Sequence, residues 1–267
     1  MRSFASWKVQ PDKSFRLSAM PTRFSDKSEG ENNKVDKSLF ERLNKLQTTL
    51  YAAKSRALLL VLQGMDTAGK DGVIRHVFTH VSPLGVRAHA FAAPSEEEKR
   101  HDFLWRIHRE LPAKGEMVIF NRSHYEDVLV PQVRGGLKPS GIEKRLAHIR
   151  HFEDMLQDEG ITLLKCYLHI SKSEQKKRLQ ARLDEPQKQW KLQASDFEDR
   201  QRWQDFMRAY AQTLSATSTK QAPWYIIPAD DKSERDQLLA ELLVSTLEGM
   251  KLSMPAPTLK LGKIKLA

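Results

Sequence analysis

The sequence predicts an α/β protein in three layers, a central parallel sheet covered by helices on both faces. Two observations predict it. From about residue 36 onward, short and almost wholly apolar runs alternate with amphipathic stretches, and one of those runs passes straight into a glycine-bounded turn that opens a helix. The apolar runs are Ala57 to Gln63, Gly85 to Ala93, Met117 to Phe120, Ile161 to Ile170 and Trp224 to Pro228. Strands apolar on both sides suit a parallel sheet buried on both faces, with ligands at the carboxyl ends of the strands.

Helices are expected where apolar residues recur at helical spacing. Leu39, Phe40, Leu43, Leu46 and Leu50 form one stripe, Ile142, Leu146, Ile149, Phe152, Met155 and Leu156 a second, and Leu238, Leu239, Leu242, Leu243 and Leu247 a third. Trp203, Phe206, Met207 and Tyr210 share a face and read as core. Ser95 with Glu98, Ser171 with Glu174 and Ser195 with Glu198 have the spacing of a capping box, each ahead of an amphipathic stretch. Residues 1–35 are polar, broken by Pro11, Pro21 and Gly30, and are expected to form an arm over the surface. Residues 36–250 form the domain, and 251–267 a loosely ordered tail.

Composition narrows the function. A chain of 267 residues with 40% hydrophobic content can bury one large core. Its formal net charge of +10 and pI near 9.6 favour polyanionic partners without choosing among them. Cys166 is the single cysteine and lies in an apolar run, so a disulfide framework within the chain is excluded. No apolar stretch reaches the roughly 18 residues of a membrane span, and the amino terminus lacks the apolar core of a signal peptide. A cytoplasmic protein without a membrane association is expected.

The sharpest feature is the turn itself, Gly64-Met65-Asp66-Thr67-Ala68-Gly69-Lys70, which is G-x-x-x-x-G-K between a strand and a helix. Gly64 and Gly69 allow main-chain N–H groups to converge on a phosphate, and Lys70 and the helix amino terminus add positive charge. Gly64, Met65, Thr67, Ala68, Gly69, Asp71 and Gly72, with Arg75 on the following helix, are the candidate phosphate cradle. The hydroxyl residue expected after the lysine is replaced by Asp71. A carboxylate among phosphate-directed donors is repulsive unless a cation lies between, so Asp66 reads as a metal ligand or as the group that orients an accepting phosphate. Asp71 reads more plainly as a favourable charge at the helix amino terminus.

The run Met117 to Phe120 ends in Asn121-Arg122-Ser123-His124-Tyr125-Glu126. Strands beside a phosphate loop commonly end in a metal-binding Asp, here replaced by Asn121. Arg122 can clamp phosphate oxygens, and Glu126 restores the missing negative charge. Further on, Arg178 and Arg182 share a helix face, with Lys188 in the following loop, and this stretch, about 172–210, is the candidate lid. Lys232 and Arg235, with Arg200, are weaker candidates for the rim of the same channel. A solvated charged face is the plainer reading of such runs.

Taken together, GMDTAGKDG at 64–72, FNRSHYEDVLV at 120–130, LHISKSEQKKRLQARLD at 168–184 and APWYIIPAD at 222–230 resemble the polyphosphate kinase 2 family over roughly Trp7 to Met250. The resemblance implies a P-loop kinase fold, thymidylate-kinase-like, with a helical lid. It implies magnesium, with manganese as its substitute, and inorganic polyphosphate in a basic channel as phosphoryl donor. Asp66 would position metal or nucleotide phosphate, Lys70 and Arg122 the transferred group, and Arg178 and Arg182 would belong to the lid. The pair Asn121 and Glu126 is similar to the subgroup that phosphorylates both AMP and ADP, giving ADP and ATP in a reversible transfer. Guanine nucleotides stand as alternative acceptors, nucleic acid is not expected as a partner, and a homo-oligomer is expected. One departure lies at Asp231-Lys232-Ser233-Glu234-Arg235, where related sequences carry aromatic residues among basic ones. Two rival readings are an ATP-dependent nucleoside monophosphate kinase on the same fold and, more distantly, a nucleotide-sensing RNA-binding module.

Overall fold

The computed structural model describes residues 3–11, 15–24 and 36–259. Five strands, β1 (Ala57–Gln63), β2 (Val86–Ala90), β3 (Met117–Asn121), β4 (Ile161–His169) and β5 (Trp224–Pro228), form one all-parallel sheet in the order β2-β3-β1-β4-β5. Among the described residues, ten α-helices connect and cover them: α1 (Lys37–Ala53), α2 (Lys70–Phe78), α3 (Trp105–His108), α4 (Glu126–Arg134), α5 (Pro139–Asp158), α6 (Lys172–Asp184), α7 (Pro186–Gln189), α8 (Ala194–Gln201), α9 (Trp203–Thr217) and α10 (Lys232–Gly249).

The layers follow from the pleat. Leu58, Leu60 and Leu62 of β1 face a core shared with Phe40, Leu43 and Leu50 of α1, Val73 and Val77 of α2 and the leucines of α10. Leu59 and Val61 face the opposite core, with Ile142, Leu146 and Ile149 of α5, Val128 of α4 and Phe206, Tyr210 and Leu214 of α9. Every residue of β1 is buried. At roughly 1.5–3 kcal/mol per buried leucine, this strand is fixed at the centre despite its polar end at Gln63.

Several expectations need correcting. The run Gly85 to Ala93 shrinks to Val86–Ala90 and is half-exposed, because β2 is an edge strand with a neighbour on one side only. The box at Ser95 and Glu98 forms reciprocally, yet opens only a three-residue 3-10 turn, Glu98–Arg100. Ser171 caps α6 through the Glu174 N–H, while the Glu174 carboxylate turns to Arg178. Ser195 caps nothing: α8 starts two residues earlier, with Gln193 and Asp196 forming the box. The amino-terminal arm does more than lie on the surface. Lys8 bridges antiparallel to Tyr225, the Val9 N–H donates to Trp224 O, and Val9 and Leu17 are buried, so the arm protects the β5 edge. The expected arm and tail also include 25–35 and 260–267, outside the described residues. Trp203, Phe206 and Tyr210 pack in the core as expected.

Candidate active site at the carboxyl ends of β1 and β3

The phosphate loop leaves β1 beside β4. Gly64 has φ +154°, and a Cβ there would lie 2.8 Å from Leu168 O on β4, so no side chain fits. Gly69 has φ +104°, and a Cβ there would overlap Arg235 Nη1. Between them Thr67 takes a left-handed φ of +66°, uncommon for a non-glycine residue. Its Oγ1 is buried without a protein partner, an orphaned donor inside the loop. Those features fit an anion. Lys70 folds back over the loop, Nζ donating to Gly64 O at 2.8 Å and Met65 O at 3.3 Å.

β3 delivers the opposing group. Asn121 lies opposite Leu62 of β1, and the Arg122 N–H donates to Leu62 O, so the parallel register sets Arg122 against the loop. Arg122 itself has φ +63°, which turns its side chain to Asp66; Nη2 donates to Asp66 Oδ1 at 2.5 Å. Asn121 Nδ2 donates to Asp71 Oδ1 at 2.6 Å. Gln63, at the end of β1, lies between Ser123 and Glu126; with its amide nitrogen toward the carboxylate it donates to Glu126 Oε1 at 2.9 Å.

The turn carrying Arg122 hangs from a buried ionic network. Lys165 of β4 donates to Glu153 Oε2 at 2.6 Å, to Thr217 O at 2.7 Å and to Tyr125 OH at 3.3 Å. Tyr125 OH donates to Glu153 Oε1 at 2.5 Å, and His124 Nε2 lies 3.3 Å from the same oxygen. Burial alone would raise the Glu153 carboxyl, but Lys165 and His124 outweigh it and hold it below the usual range. No local sequence signal marks this network, which joins four separate elements.

Beyond Lys70, four basic residues around the site are each held by a carboxylate of the protein. Arg122 has Asp66, Arg182 has Asp196 at 3.4 Å, Arg134 has Asp199 at 2.6 Å and Lys191 has Asp71 at 3.9 Å. Burial would raise Asp66, yet Lys70, Arg122 and Arg182 together hold it below the ordinary carboxylate range. Burial lifts Glu126 above that range despite Arg122 and Lys70 beside it, and burial together with the nearby Asp66 lifts Asp196. Burial and Arg122 pull the Lys70 ammonium down against Asp66, Glu126 and Asp71. Cations each resting on a carboxylate can take phosphate oxygens in its place.

Asp66, Lys70, Asn121, Arg122, Glu126 and Arg182 therefore meet at one place, with Met65, Thr67, Ala68 and Asp71 around them. Lys188 and Lys232 lie outside it, exposed; burial and the charges of Arg178, Lys188 and Arg235 pull the Lys232 ammonium down, so these cations converge. Arg75 is exposed on α2. Arg200 ties α8 to α6 through Lys172 O and Gln175 Oε1, both at 2.8 Å. Two expectations fail. Arg235 is 1% exposed and off the rim, because the first turn of α10 packs it against Gly69 and Gly72. Arg178 points away from solvent onto the back of the phosphate loop, all five of its N–H groups already bonded to protein. Asp196, Asp199 and Arg134 were not legible in the sequence, and only the fold brings them to the site; Lys191, inside the expected lid stretch, reaches the loop through Asp71.

As for a metal, no three His, Cys, Asp or Glu side chains among the described residues converge to hold one unaided. One carboxylate plus phosphate oxygens and water suffices for magnesium, and Asp66, ionised beside the loop, fits that role.

Comparison with known proteins identifies the family. The profile of the family described as Polyphosphate kinase 2 (PPK2) matches residues 25–255. An AMP/ADP-polyphosphate phosphotransferase of Meiothermus ruber is 48% identical over 261 residues, 97% of this chain and 98% of that protein. An ADP-polyphosphate phosphotransferase of Rhodopseudomonas palustris is 45% identical over 82% of this chain and 80% of its own length. The crystal structure of polyphosphate kinase 2 from Arthrobacter aurescens TC1 superposes with a TM-score of 0.91 at 39% identity, covering 97% of this chain and 94% of that one.

Proposed function

The chain belongs to the polyphosphate kinase 2 family, and we propose that it transfers the terminal phosphoryl group of inorganic polyphosphate to AMP and to ADP, reversibly, with magnesium. The observation that carries this reading is the meeting of Lys70, Arg122 and Asp66 at the mouth of the phosphate loop, with Asn121 on Asp71 beside them. Loop N–H groups and Lys70 bind the terminal phosphate of the polymer, displacing the ammonium from its carbonyl partners. Arg122 leaves Asp66 for the phosphate oxygens. An oxygen of the nucleotide phosphate then attacks the terminal phosphorus in line; the bond to the penultimate phosphate breaks, and the shortened polymer leaves with its electron pair.

Phosphoryl transfer needs positioning and charge neutralisation more than covalent help, and one well-placed donor is worth about 10²–10³ in kcat. Asp66 would hold magnesium, which would supply charge neutralisation in the transition state. Arg182 neutralises charge from the lid side once phosphate replaces Asp196. A phosphoanhydride is exchanged for another of similar energy, so excess ATP returns polymer. The buried Cys166 needs no oxidising compartment, and a cytoplasmic site is proposed.

The test is to incubate the protein with magnesium and polyphosphate plus AMP, ADP, GMP or GDP separately, and to resolve the products. ADP and ATP should form from AMP, and ATP from ADP. Turnover of AMP with ATP but not with polyphosphate would establish an ATP-dependent monophosphate kinase instead. An Asp66→Ala variant with near-normal turnover would overturn the role given to Asp66.

A further inference from the structure

In a phosphate-binding loop, successive N–H groups turn inward only if the neighbouring carbonyls turn outward. Outward carbonyls in a buried loop need donors. Here the donors come from arginines on two distant elements. Arg178 Nη1 donates to Thr67 O at 3.0 Å and Ala68 O at 3.1 Å. Its Nη2 donates to Ala229 O at 2.6 Å and Asp230 O at 2.9 Å, just past the end of β5. Its Nε donates to Glu174 Oε1 at 2.8 Å, one turn earlier on α6. One side chain thus links the loop after β1 to the chain after β5, across the intervening β4. Arg235 approaches Ala68 O from α10 at 3.5 Å.

We infer that Arg178, supported by Arg235, is a positioning residue that holds the phosphate loop in its phosphate-binding shape, and that Arg182 is the arginine of α6 left to meet phosphate. The contrast between the two is geometric. Arg178 is 10% exposed with every donor taken by protein, four of the five by backbone carbonyls; Arg182 is 21% exposed and holds one carboxylate at 3.4 Å. A phosphate could recruit Arg178 only by stripping it from backbone carbonyls of the loop that binds phosphate or of the chain after β5. The left-handed Thr67 carries the first of the two bonded loop carbonyls, a conformation that persists only where its surroundings hold it. A planar guanidinium can bridge two pairs of carbonyls at once, whereas a lysine ammonium has three donors and no fork.

The inference rests on the loop being the phosphate site, and its test separates it from the choice of substrate. Amide hydrogen exchange is measured without substrate on the wild type and on Arg178→Met, Arg178→Lys and Arg182→Lys, followed by kcat with polyphosphate and ADP. Both Arg178 variants should speed exchange across residues 65–70 by about tenfold or more, leaving β4 amides unchanged as the internal control. Both should lose roughly 100-fold in kcat, since lysine cannot reproduce the fork. Arg182→Lys should keep wild-type loop protection. Wild-type loop protection in Arg178→Met, or recovery of Arg178→Lys to within about threefold of wild-type turnover, would overturn the assignment and make Arg178 a charge contact. Should Arg178→Met fail to fold, Arg178→Lys carries both readouts. A wild type inactive with polyphosphate, but with the loop exchange described, would sink the substrate assignment and leave the positioning role standing.

Discussion

Replacing Lys165 with Met should be the most damaging single change made outside the phosphate site, and its cost should depend on pH in a definite direction. Lys165 is fully buried and donates to Glu153, Thr217 O and Tyr125 OH. Its removal leaves Glu153 buried with only Tyr125 and His124 for company. Breaking a buried pair by removing one partner costs about 3–5 kcal/mol. That is a large share of the 5–15 kcal/mol typical of a whole domain. For a chain of this size it corresponds to a fall of roughly 6–20 °C in Tm. The sign with pH follows from Glu153. In the wild type its folded pKa is depressed, so the stability it contributes is complete above the ordinary carboxylate value and is lost only as pH falls through the lower folded value. In the variant, burial without the ammonium raises it, so the folded state holds a proton the unfolded state releases. Stability then falls as pH rises, by up to about 1.4 kcal/mol per unit. Urea unfolding followed by tryptophan fluorescence at pH 5.5 and 8 should show the larger deficit at pH 8. Adding Glu153→Leu to the variant should recover at least half of the loss, because no buried charge then remains. A deficit under about 1 kcal/mol, or an equal deficit at both pH values, would refute the reasoning.

Three further outcomes follow from the site. Arg122→Lys should lower kcat/KM by about 10²–10³ while Tm stays within a few degrees, since the ammonium keeps the charge but lacks the planar fork; steady-state kinetics beside a thermal melt checks this. Glu126 ionises above the ordinary carboxylate range because it is buried, so kcat/KM should rise with pH through that raised value as the carboxylate forms beside Arg122, and Glu126→Gln should flatten this acid limb. Gly69→Ala puts a side chain at a left-handed position against buried Arg235, which should cost about 1–3 kcal/mol in overpacking and strain and reduce turnover more than stability, read by kcat and urea midpoint together.

Local rules made a large part of this protein legible. Five apolar runs became five strands, with Ala57–Gln63 and Trp224–Pro228 at the predicted bounds, because a strand buried on both faces must be apolar along its whole length. The loop from Gly64 to Lys70 was equally plain, since close backbone approach and positive φ demand glycine at fixed places. Lys70, Arg122 and Asp66 followed from their chemistry next to it.

Charge on a helix was the weaker guide. Arg178 and Arg182 share a face of α6, yet one turn of offset sends Arg178 onto the loop's carbonyls and leaves Arg182 toward the site. Arg235 read as a rim cation and is buried against Gly69 and Gly72. Asp196, Asp199 and the Lys165 network left no trace in spacing, because their partners lie on other elements that only the fold brings alongside. The sequence by itself determined the sheet, the phosphate loop and the residue types that meet phosphate, all set by periodicity and backbone sterics within a few residues. Only the tertiary structure decided which cations face the site and which brace it, because an arginine's role depends on the carbonyls and carboxylates that distant segments bring within hydrogen-bonding reach.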